Sequence, residues 1–165
     1  MTSETRFFQQ LVLQAIQFCK KANIAIVQQE YTETKENILF TYSSYIQLSG
    51  AFQGIALISL EPSLAKAWVK HYVTFKFHEG DWELFASDVT AELINIFAGN
   101  SLEIRDDDDI QMGTPWLTTA KWIKSLEAVQ YTQTLHTEYG AFICVYLHLE
   151  PTINPETLFT TEVEA

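Results

Sequence analysis

The side chains of this sequence that could act together chemically lie in Ser87-Asp88-Val89-Thr90-Ala91-Glu92-Leu93-Ile94-Asn95-Ile96-Phe97-Ala98-Gly99. Wound as a helix at about 100° per residue, Asp88, Glu92, Asn95 and Gly99 fall within a stripe roughly 60° wide. Phe85, Val89, Leu93, Ile96 and Phe97 take the opposite sector, which predicts a core-facing side with Val89, Leu93 and Ile96 buried. Glu92 and Asn95 then project outward one turn apart. An ionised carboxylate accepts hydrogen bonds and pairs with a cation, while a carboxamide both donates and accepts and can hold a water in one orientation. Asp88 begins the stripe, Gly99 ends it with bare backbone, and Ala91 and Ala98 flank it with small side chains that let another surface approach. On spacing alone, a Glu and an Asn on such a face also fit a merely solvated helix.

The elements that must position this stripe can be read from periodicity. Phe8, Leu11, Val12, Ala15, Ile16 and Cys19 repeat at 3.6 residues and predict a first helix over 4–21. Strands are expected over 24–31, 38–47 and 52–60, with a polar turn over 32–37. Pro62 suits the first turn of a second helix through Ala65, Trp68 and Val69. The stripe belongs to a third helix over 82–102, and strands follow over 110–118, 126–137 and 141–149. The last two form a hairpin broken at Glu138-Tyr139-Gly140. Segregated runs of this kind define an α+β domain over 1–150, helices packed on an antiparallel or mixed sheet, with 151–165 as an extended or loosely held acidic tail.

Asp88-x3-Glu92-x2-Asn95, followed by Pro115 in Gly113-Thr114-Pro115, resembles the acidic-x3-Glu-x2-Asn…Pro signature of the bacterial chemotaxis phosphatases CheC, CheX and FliY. The segment from Leu48 to Leu57, containing Gly50 and Gly54, resembles the Gly-x3-Gly strand pair of that family, and the helix from Glu61 to Val73 follows in order. The resemblance spans roughly residues 4–150. A single Glu-x2-Asn is present, where CheC and FliY carry two, which points to the CheX branch.

The resemblance implies a substrate, the aspartyl phosphate of a CheY-like receiver domain. By position, Glu92 pairs with the receiver's active-site lysine and Asn95 orients the attacking water. Asp88, Ala91 and Gly99 would contact the partner, and Pro115 would be structural. Mg²⁺ would be held by the receiver, so no cofactor or metal is expected in this chain. A homodimer joined through sheet edges is also implied. A non-catalytic adaptor of the same fold, holding a receiver domain or another signalling protein, is the alternative.

Composition narrows the partners. Among 165 residues, 21 are acidic and 10 basic, a formal net charge of −11. Nucleic acid and anionic membrane surfaces are therefore disfavoured as partners. No basic segment precedes an apolar run at the N-terminus, and no window reaches the roughly 20 apolar residues that span a bilayer, so a cytoplasmic protein is expected. Cys19 and Cys144 read as small buried hydrophobes. Four scattered histidines offer no zinc spacing, and Asp106-Asp107-Asp108-Asp109 lacks the alternation of a calcium loop, which leaves it as a solvated connection.

Overall fold

The computed structural model describes residues 2–32, 37–103, 109–124, 130–150 and 152–160. The first helix, α1 (Ser3–Lys21), starts where the Thr2 hydroxyl accepts a hydrogen bond from the Thr5 N–H at 3.1 Å, and it ends with Lys20 and Lys21 beside its C-terminal carbonyls. Four strands follow: β1 (Ile26–Thr32), a short β2 (Asn37–Ile38), β3 (Tyr42–Gly50) and β4 (Gly54–Leu60). Next come α2 (Pro62–Tyr72) and α3 (Glu83–Glu103), separated by a single 3₁₀ turn. The chain continues through β5 (Ile110–Met112), β6 (Trp116–Thr118), β7 (Trp122–Ile123), β8 (Gln130–Thr137), β9 (Gly140–His148), a 3₁₀ turn and β10 (Phe159–Thr160). This is an α+β fold.

The main sheet has the order β1-β8-β9-β4-β3-β5, with β6 paired to β3 beside β5, and every pair is antiparallel. The three helices cover one face. A three-stranded sheet, β10-β7-β2, lies against the other. Covering both faces explains why β4 is buried at every position and β9 at all but its two ends. Along β9, Phe142, Cys144 and Tyr146 enter the helical side while Ile143, Val145 and Leu147 enter the other. Cys19 and Cys144 are free and buried in the helical core, and burial pushes the Cys19 thiol up to about 11.

Several expected boundaries shift for local reasons. The run 38–47 splits, because Ile38 pairs with Trp122 in the small sheet whereas Tyr42 begins the main one. The run 110–118 divides into β5 and β6, with Gly113, Thr114 and Pro115 facing only Ile46 and Gln47 of β3. That is one residue more than the ladder accepts, at a proline that has no N–H to give. The Gly113 N–H still reaches the Gln47 carbonyl at 2.8 Å. The hairpin between β8 and β9 turns at Glu138-Tyr139, with Gly140 at φ +134°.

The tail read as extended or loosely held is in part docked. Pro155–Leu158 forms a 3₁₀ turn with Leu158 buried, and Phe159 and Thr160 pair with Ile123 and Trp122 of β7. An apolar Leu-Phe pair on a 3₁₀ turn capped by Asn154 is enough to seat this segment against the second face of the sheet. The start of the strand expected over 126–137, the turn over 33–36, the acids Asp106 to Asp108 and residues 161–165 lie outside the described residues.

Candidate functional site

The helix α3 runs along β3, with Trp82 beside Tyr42 at one end and Gly99 beside Met112, the partner of Leu48, at the other. α1 and α2 pack beside it. Phe97 meets Phe18 of α1 and Trp68 of α2 at 5.8 and 6.1 Å between ring centroids. Val89, Leu93 and Phe97 are buried as expected, but Ile96 is half-buried and Ile94 and Ala98 have no exposure. The buried sector is therefore broader than the periodicity suggests and turned toward Ile94, because α3 is enclosed by sheet and neighbouring helices together. Two polar residues sit on this buried side without penalty: Thr90 and Ser101 donate to the carbonyls of Ala86 and Phe97 at 2.7 and 2.6 Å.

That packing leaves the chemical stripe outward. Asp88 and Glu92 are exposed, and Asn95, Ala91 and Gly99 are half-exposed. Ala98 does not flank an open surface, since it is buried in the core. Gly99 is not bare either: a Cβ placed there would lie 3.7 Å from the Met112 methyl, an ordinary contact. Pro115 lies half-buried in the link between β5 and β6.

Among the described residues, the side chains of Asp88, Glu92 and Asn95 make no hydrogen bond and no ion pair, and no Lys or Arg lies three or four positions away on the helix. Asp88 and Glu92, four apart, repel each other by a few tenths of a kcal/mol. The Tyr72 hydroxyl at the end of α2 feels the charge of this stripe. It titrates above its ordinary value, first because burial disfavours phenolate and second because of the Glu92 charge. The stripe is thus an acidic surface with an amide beside it and no internal cation. Among the described residues no group of three or more His, Cys, Asp or Glu side chains converges on a metal position, and no helix is long and apolar enough to cross a membrane.

Two features of this surface carry no polar signal in the sequence. Leu84 stands two turns before Glu92 on the same stripe, 73% exposed, and Phe75 of the segment between α2 and α3 is 59% exposed. The signal that could have found Leu84 is its position four residues before Asp88, on the line of the stripe.

The fold is that of the CheX and CheC-like chemotaxis proteins. CheX from Vibrio vulnificus superposes with a TM-score of 0.69 at 20% identity, covering 86% of this chain and 99% of that one. A CheC-like superfamily protein from Shewanella sp. PV-4 gives 0.67 at 18% identity over 91% and 100%. CheX of Borrelia burgdorferi, solved in complex with CheY, BeF₃ and Mg²⁺, gives 0.57 at 15% over 86% and 96%. No protein-family model matches the chain, and no curated protein matches it by sequence.

Proposed function

We propose that this chain is a CheX-like phosphatase that hydrolyses the aspartyl phosphate of a CheY-like receiver domain. One observation carries the reading: on a CheX-like fold, Glu92 and Asn95 stand side by side on the outer face of α3, without partners of their own among the described residues. The Borrelia relative is held in a complex with CheY. In this reading Glu92 accepts the lysine of the receiver's active site, which also relieves its repulsion with Asp88. Asn95 enters beside the phosphoryl group and holds a water in line. The water oxygen bonds to phosphorus as the bond from phosphorus to the aspartate oxygen breaks, releasing inorganic phosphate and the free carboxylate. The water's protons pass to phosphate and solvent.

No strong base is needed, because phosphoryl transfer is accelerated mainly by position and charge. Mg²⁺ belongs to the receiver. The reading places the chain in the cytoplasm, on the single-motif CheX branch, and as a homodimer joined at sheet edges.

The test is phosphate release from a panel of phosphorylated receivers of the same genome. Asn95→Ala is expected to lower turnover about a hundredfold, roughly 3 kcal/mol, while receiver binding holds. If Asn95→Ala hydrolyses as fast as the parent, the adaptor reading replaces this one.

A further inference from the structure

We infer that Phe75 and Leu84 form an apolar docking rim for the receiver domain, setting how tightly it is captured rather than how fast it is hydrolysed; this rests on the function proposed above. Leu84 lies on the axis of the stripe, about 12 Å from Glu92 at 1.5 Å per residue. A partner of domain size that engages both Glu92 and Asn95 therefore extends over it. Phe85, read from periodicity as core-facing, is only half-buried and stands seven residues, about two turns, before Glu92 on nearly the same line of the helix, and it carries the second component. Its ring lies 5.5 Å from Phe75 and 5.3 Å from Phe77.

These three aromatic residues do different jobs. Phe77 and Phe85 are half-buried and packed against the helical core, whereas Phe75 rests on them and turns most of its surface to solvent. Four residues on, Glu79 meets Lys70 at 2.5 Å and Lys66 at 3.6 Å in exposed ion pairs to α2. An exposed phenylalanine buttressed by two rings loses little freedom on binding, which is the property of an interface anchor. The occupant is fixed by continuity with the acidic stripe: one face that offers a cation to Glu92 and an apolar surface beside it. A second copy of this chain would bring Asp88 and Glu92 against their own kind.

The experiment compares the parent, Phe75→Ala/Leu84→Ala and Asn95→Ala, using as probe the receiver from the panel that the parent dephosphorylates. Affinity is measured with that receiver loaded with beryllofluoride and Mg²⁺, and hydrolysis with its phosphorylated form. Both rim residues are exposed, so unchanged near-ultraviolet dichroism and melting temperature are expected. The double variant should bind about tenfold more weakly and raise KM in proportion, with kcat unchanged. Asn95→Ala should show the converse. Unchanged affinity and KM in the double variant overturn the rim, as does a fall in oligomer mass by light scattering with receiver binding intact. If Asn95→Ala hydrolyses normally while the double variant still loses affinity, the catalytic reading fails and the rim stands. If the parent binds no receiver, both fall.

Discussion

Two glutamates sit in opposite circumstances in this protein. Glu4, in the first turn of α1, accepts the Tyr146 hydroxyl at 2.6 Å and meets His148 Nδ1 at 3.2 Å, and Tyr146 also lies 3.2 Å from the Gln53 carbonyl. Around it Phe7, Phe52 and Tyr131 surround the Tyr146 ring. Burial, then the Glu4 carboxylate, pushes the Tyr146 phenol far up. Glu92 has none of this: among the described residues it meets no donor and no cation, and a like charge lies one turn away. A carboxylate whose oxygens are engaged by protein donors helps hold the fold together, whereas one whose oxygens face solvent is open to a donor from outside the chain.

The sharpest way to break that contrast is Glu92→Ala. Receiver affinity should fall by one to two orders of magnitude, because the receiver's lysine is left without its acid, while the melting temperature stays level or rises slightly as the Asp88 repulsion goes. A loss of stability instead would make Glu92 another structural carboxylate. Glu4→Ala should do the reverse, costing about 1–2 kcal/mol in urea unfolding with kcat for phosphate release unchanged.

Gly99→Ala comes next. It should stabilise α3 by up to about 1 kcal/mol, since the added methyl fits against Met112 and a helical glycine is lost. If receiver binding falls at the same time, backbone approach at Gly99 is part of docking; if it does not, the glycine is dispensable there.

The smallest effect is on pH. Burial alone pulls His148 down, but hydrogen bonding and charge from Glu150 and Glu4 outweigh it and leave the imidazole raised. A raised folded value means that the stability it contributes is complete below the ordinary histidine value of 6.5 and is lost as pH rises through the higher folded value. His148→Gln should therefore flatten the decline in stability just above pH 6.5. An unchanged profile would show that the charge on His148 does not count.

How much of this could be read from the residues depends on the kind of signal each region carries. α3 and its outward stripe were legible because Val89, Leu93 and Phe97 repeat at the helical period and Asp88, Glu92 and Asn95 repeat opposite them. The width of its buried side was not, since Ile94 and Ala98 are covered by neighbouring elements that no local period encodes. Pro115 marked a break within 110–118 that a strand reading passes over. β2, β7 and β10 are two residues each, too short for any alternation, and exist only through one another. Leu84 escaped because a search for polar chemistry does not look at an exposed leucine.

β10 is the latest strand in the described chain, and it completes the small sheet only by adding to β7, which already holds β2. Until residues 158–160 are in place, the small sheet lacks its third strand, and Leu158 and Phe159 are missing from the cluster that covers Ile55, Leu57, Val145 and Leu147. A chain truncated near residue 150 would therefore keep α3 whole and yet leave part of the second face of the main sheet bare, an apolar surface open to other chains.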